Sequence, residues 1–218
     1  MNINDITKEV ETFLSELHPF PENPVRLDLG VVPPFVGSDE IKLIIIGQDP
    51  TIKNEEERHK IDVTLNLDKG GALRSYIEKI CGAIGITLNN VYATNLFKYF
   101  YTVPPAKTFN ILQAHIQPNL ELLKRELAKF PNCPIITLGE PVLKLLIDDN
   151  VQHKDVKFYW GYDGKTKSTN GDFRFVHAKD SKIQRDFFPF CHQPSISKDF
   201  YKNIFPQYTE FYNQILCL

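Results

Sequence analysis

The stretch Ile41-Lys42-Leu43-Ile44-Ile45-Ile46-Gly47-Gln48-Asp49-Pro50-Thr51 limits the fold of this chain more than any other segment. An apolar run of this length, bounded by Gly and Pro, reads as a strand covered on both faces, the habit of parallel sheets in α/β proteins. Gly47 lets the backbone pass close to another group, and Pro50 ends the ladder. Asp49 is a carboxylate delivered to the C-terminal edge of a central strand, where open α/β sheets bind ligands. The plainer alternative is that Asp49 closes a turn or caps the next segment.

Helix-spaced apolar residues predict helices over 3–17, 72–84, 108–129, 141–147 and 205–216. Further strands are expected over 90–97 and 134–139, and the apolar Phe187-Phe188-Pro189-Phe190 runs into Cys191-His192. Residues 18–40, punctuated by Pro19, Pro21, Pro24, Pro33 and Pro34, read as an extended connection. In the irregular region 150–185, Val156–Trp160 and Phe173–His177 are expected to pair as a hairpin around the Gly/Ser/Asn-rich 161–171. The alternation predicts an α/β fold, a three-layer α/β/α sandwich with a short, mainly parallel central sheet, as a single domain over 1–218. Right-handed crossovers would then bring Asp49, Asn95, Gly139 and His192 to one edge of the sheet.

Composition excludes several classes. No apolar run approaches the ~20 residues of a membrane span. The acid-bearing start MNINDITKEVETFL lacks the features of a secretory signal. Cys81, Cys133, Cys191 and Cys217 form no C-x-x-C pair, and the histidines at 18, 59, 115, 153, 177 and 192 show no H-x-x-x-H spacing. Reduced intracellular thiols and no metal site are therefore expected. The net charge of −2 gives no global attraction to nucleic acid. Residues 153–185 do carry eight Lys/Arg against four Asp, a local excess of +4 that reads either as a backbone-binding surface or as a solvated loop.

At the four tips the chain resembles the uracil-DNA glycosylase superfamily, with motifs in order from about residue 41 to 205. Gly47-Gln48-Asp49-Pro50 is similar to four positions of the motif G-Q-D-P-Y. Val91-Tyr92-Ala93-Thr94-Asn95-Leu96-Phe97-Lys98 with Pro104-Pro105 resembles the V-Y-I-T-N-V-V-K…P-P segment of the iron–sulfur branch. Ile135-Ile136-Thr137-Leu138-Gly139 resembles that branch's strand ending in L-G, and Phe188–Ser195 its terminal F-P-x-x-H-P-S. The branch's cluster cysteines are not matched, so no cofactor is implied.

The resemblance implies an enzyme that hydrolyses the N-glycosidic bond of a flipped uracil-type base in DNA, as in base excision repair. Its expected partner is DNA holding uracil or another damaged base, and the protein is expected to be a cytoplasmic monomer without metal or membrane attachment. By the same resemblance Asp49 stabilises the sugar cation or orients water, Asn95 reads the base edge, and His192 donates to the base oxygen as charge builds. Gln48 contributes a backbone amide at the base, while Ser195, Ile196 and Ser197 form the turn expected against the DNA backbone, Ile196 also standing loosely where the family carries a Leu wedge.

Three positions depart from the pattern. Thr51 replaces a Tyr that crowds the uracil 5-position, Leu65 falls near the place of the aromatic that stacks on the base, and Gln193 splits the expected H-P-S. Either His192 reaches the pocket from a shifted turn, or Gln193 takes its place and His192 is structural. These departures keep open a rival: a non-catalytic member of the same fold that binds nucleic acid or a nucleobase. A third reading is a hydrolase of free nucleosides.

Overall fold

The computed structural model describes residues 3–50 and 55–216. Helix α1 (Ile3–Leu14) turns Ile6, Val10 and Leu14 into the core. The Pro-rich connection that follows contains a two-residue strand β1 (Phe35–Val36), too short to leave an alternating pattern. Next come β2 (Leu43–Gly47), the single turn α2 (Glu55–Arg58), α3 (Ala72–Ala83), β3 (Val91–Asn95), α4 (Phe109–Leu127), β4 (Ile135–Leu138) and α5 (Glu140–Leu146). A one-turn α6 (Val156–Tyr159), the small hairpin β5 (Tyr162–Asp163) with β6 (Ser168–Thr169), strand β7 (Phe188–Phe190) and α7 (Asp199–Leu216) complete the order.

The central sheet runs β1-β3-β2-β4-β7. Only β1 is antiparallel; the other three pairings are parallel. Every residue of β2, β3, β4 and β7 is buried, because helices cover both faces. On one face Tyr92 and Thr94 donate to Glu126 of α4. On the other, Phe188 and Phe190 pack on Tyr212 and Tyr208 of α7. This is the expected mixed α/β architecture with helices flanking a mainly parallel sheet. Gly47 pairs with Asn95, Ile46 with Thr137, and Leu138 with Phe190, so the C-terminal tips of four strands stand level.

The excursion differs from expectation. Val156–Tyr159 is helical because the Asp155 side chain accepts from Phe158 N at 3.0 Å and caps the turn. The aromatic run therefore buries Trp160, whose Nε1 donates to Pro189 O at 2.8 Å, instead of forming a strand. The hairpin sits inside the polar segment, where Tyr162 pairs with Thr169. Phe173 and Phe175 pack on Phe211 of α7, and Val176 forms only an isolated bridge with Phe187. Helix α7 also starts earlier than expected, at Asp199. Its buried face Tyr201, Ile204, Phe205 and Tyr208 carries it through Pro206.

The segment ahead of β1 is stitched along the chain that follows β3. Val32 N donates to Lys98 O at 2.8 Å and Arg26 N to Phe100 O at 2.8 Å, and Val25 bridges Tyr101. Fully buried Asn23 holds both backbone groups of Val103: its Oδ1 accepts from Val103 N at 2.9 Å and its Nδ2 donates to Val103 O at 3.1 Å.

Candidate active site

A cleft of about 960 Å³ opens at the C-terminal edge of the sheet, where Asp49, Asn95, Gly139 and His192 converge. Its floor begins at Gly47. The ladder continues past the strand ends, with Leu96 N donating to Gly47 O at 2.9 Å and Phe97 N to Gln48 O at 2.8 Å. Gln48 and Asp49 are thus carried on fixed backbone. A Cβ at Gly47 would lie 2.4 Å from Asn95 Oδ1 and 2.9 Å from Leu65 Cδ2, so only glycine lets those two side chains close over the strand end.

Asn95 is 1% exposed, yet neither Oδ1 nor Nδ2 has a hydrogen-bond partner among the described residues. A buried amide left unpaired costs about 1–3 kcal/mol. Such an orphan at the wall of a cleft leaves one donor and one acceptor available to a group that enters. Asp49 is partly buried, and its Oδ1 accepts from Gln48 Nε2 at 2.5 Å. Behind it lie Tyr99 and Tyr101. Burial is the main cause raising both phenol pKa values, and the charge of Asp49 adds to it.

Leu65 and Asn66 form the opposite lip, with φ of 61° and 51°. Left-handed backbone at two successive residues with side chains costs of order 1–3 kcal/mol each. It persists because the turn is tied on both sides: Thr64 donates from N and from Oγ1 to Pro33 O, and Arg74 donates to Leu67 O. Asn66 also lines the cleft, and its buried Oδ1 has no hydrogen-bond partner among the described residues. Sequence reasoning missed it; the only signal was that Asn tolerates left-handed backbone better than most residues.

On the far side, Gly139 N donates to Phe190 O at 2.8 Å, and His192 Cβ would stand 3.3 Å from a Cβ at Gly139. Cys191 O accepts from Tyr76 OH at 3.1 Å, which ties this strand end to α3. His192 is exposed at the mouth, while the protein packed around its ring lowers its pKa by desolvation, so the imidazole is neutral at pH 7.

The sequence-predicted residues separate into two groups. Gln48, Asp49, Leu65, Asn95, His192 and Ser195 all line the cleft. Gln193, Ile196 and Ser197 are not among its lining residues. Ile196 is packed against the core, and Ser197 Oγ donates to Pro194 O at 3.0 Å. Thr51 lies outside the described residues.

Part of the basic content of 153–185 is engaged in contacts within the protein. Lys182 pairs with Asp149 at 2.8 Å, Lys157 sits 4.4 Å over the Tyr162 ring, Arg174 pairs with Asp172, and Arg185 donates to Leu127 O at 3.0 Å. His115 is a structural histidine. Its Nε2–H donates to His18 O at 2.7 Å, so Nδ1 accepts from Tyr101 OH at 3.0 Å. Among the described residues no group of His, Cys, Asp or Glu could hold a metal ion, and no helix is long and apolar enough to cross a membrane.

A cleft at the strand tips of a mainly parallel sheet thus presents a carboxylate and a buried amide to whatever enters it. The family model of the uracil DNA glycosylase superfamily matches residues 34–216, and the chain belongs to that superfamily. No curated protein sequence matches the chain. Membership supports a glycosylase-type function acting on DNA.

Proposed function

We propose that this protein hydrolyses the N-glycosidic bond of a flipped uracil-type base in DNA, releasing the free base and leaving an abasic deoxyribose. The observation that carries this reading is the Asn95 amide, buried and without a partner at the cleft wall. One donor beside one acceptor matches the Watson–Crick edge of uracil, which offers a carbonyl next to an N–H. A substrate reaching that amide must have left the base stack.

In the reaction the C1′–N1 bond breaks with its electron pair leaving on the base, and the sugar gains positive charge. Asp49 stabilises that charge and orients the water that adds to C1′, accepting its proton. The departing anion is held by Asn95 Nδ2–H and by a neutral His192 ring, which lends an N–H to the base oxygen. Ser195, on the turn after His192, holds the flanking phosphate. Between the two alternatives for the leaving-group donor, His192 is favoured over Gln193 because it lines the cleft.

The test is release of free uracil from single- and double-stranded oligonucleotides containing deoxyuridine. Release above background, lowered at least about tenfold by Asp49→Asn, supports the reading. No release from either substrate, with binding to undamaged DNA as tight as to uracil DNA, assigns the chain to the non-catalytic reading. Faster hydrolysis of free deoxyuridine than of oligonucleotide would move it to small nucleosides.

A further inference from the structure

Behind Asn95 the protein buries a complete ion pair. Lys98 Nζ stands 2.7 Å from Glu126 Oε2, with side-chain exposures of 1% and 0%. Moving two charges out of water is costly, and apolar residues of the same volume usually serve stability as well or better. This pair therefore calls for a reason beyond packing.

The remaining bonds of the pair supply one. Lys98 Nζ also donates to Thr94 Oγ1 at 2.7 Å and to the backbone carbonyl of Asn95 at 2.8 Å, while its contact with Glu126 Oε2 is an ion pair without hydrogen-bond geometry. Glu126 Oε1 in turn accepts from Tyr92 OH at 2.7 Å and Thr94 Oγ1 at 3.2 Å. The network binds α4 to alternate residues of β3 and ends on the peptide of Asn95. Lys98 is itself fixed, since its carbonyl accepts from Val32 N at 2.8 Å. The Asn95 side chain makes no hydrogen bond among the described residues, so packing and the backbone that carries it set its aim there.

We propose that Lys98, held by Glu126, is a positioning residue whose ammonium fixes the Asn95 peptide and so aims the side-chain amide into the cleft. This rests on the reading of Asn95 as the base-recognition residue. A charge-assisted bond to a carbonyl resists the small rotations that would swing the amide off the base edge. The charge pair thus serves the geometry of recognition, while Lys98 touches neither base nor sugar.

The deciding variant is Lys98→Met with Glu126→Gln, which leaves no buried charge and keeps an acceptor for Tyr92 and Thr94. Two readouts apply. With enzyme in excess, the single-turnover rate constant for uracil release is expected to fall by about tenfold, the rate equivalent of one hydrogen bond to a charged group. A merely structural role would lower the reacting amplitude and leave that constant unchanged. In ¹⁵N-labelled protein the Asn95 Nδ2–H₂ resonances are expected to shift or broaden. A folded double variant with the wild-type rate constant and unmoved Asn95 signals overturns the proposal. Should wild-type protein release no uracil, the proposed function fails, while the Asn95 signals still decide the positioning role. If the double variant does not fold, Thr94→Val decides instead, through the same readouts, with about a threefold slower rate expected and no change overturning the proposal.

Discussion

Adding one methyl group at the end of β2 tests the site directly. In Gly47→Ala the new Cβ would lie 2.4 Å from Asn95 Oδ1, about 1 Å inside ordinary contact, and 2.9 Å from Leu65 Cδ2. The backbone of β2 is held by parallel neighbours on both sides, so it yields least. Asn95 Oδ1 is the far end of a side chain and has no hydrogen bond to lose among the described residues, so the cheapest response is rotation of the amide away from the strand. Stability should then fall by about 1–2 kcal/mol, the lower part of the overpacking range, which corresponds to roughly 2–8 °C in Tm for a chain of this size. Recognition suffers more, because a displacement of about 1 Å in a positioning group can cost about 10²-fold in rate. Single-turnover uracil release and thermal unfolding on the same preparation measure both effects. An alanine variant that cleaves at the wild-type rate would refute the claim that glycine is required to aim Asn95.

Other outcomes follow from the same geometry. Asp49→Asn should lower turnover at least about tenfold while DNA binding persists, because the variant keeps the side chain's shape and removes the charge that the proposed mechanism sets against the sugar cation; equal turnover would remove Asp49 from the chemistry. His192→Ala should slow uracil release by about 10²-fold whereas Gln193→Ala changes it little, and a reversed order in steady-state assays would hand the donor role to Gln193. Burial lowers the pKa of His115 below that of the unfolded chain. Below pH 6.5 the unfolded state therefore binds the proton first, and stability is lost as pH falls until the folded-state pKa is passed. Tm measured from pH 7.5 to 5 should show this loss, and His115→Gln should reduce it.

Much of this arrangement is legible in the residues because parallel strands are buried on both faces and announce themselves as apolar runs. Ile41–Ile46 and Val91–Asn95 fixed the strand ends, and with them the positions of Asp49 and Asn95. The tip of β7 was harder, since Phe188-Pro189-Phe190 is too short to separate a strand from a loop by pattern. Val156–Trp160 was misread because aromatic and β-branched residues favour strands, while a single side-chain cap at Asp155 was enough to start a turn of helix. The left-handed pair Leu65–Asn66 is marked only by asparagine's tolerance of such backbone, since leucine there runs against local preference and is held by distant contacts. Lys98 and Glu126 lie 28 positions apart in the numbering, and nothing in either neighbourhood signals that their charges meet. Packing creates that meeting, and periodicity cannot report it.

The strip of chain ahead of β1 has a practical bearing on how the protein may be trimmed. The family match starts at residue 34, yet Asn23, Val25, Arg26 and Val32 are sewn to the segment 98–103 that leads from Asn95 to Pro104 at the cleft. A fragment cut to the matched boundary would keep every strand of the sheet and expose a raw seam beside the site. The amide and carbonyl of Val103, together with the carbonyls of Lys98 and Phe100, would be released at once to solvent. The leading segment thus acts as a hem for this edge of the cleft, and the smallest fragment that keeps the cleft's shape begins well before the boundary drawn by family likeness.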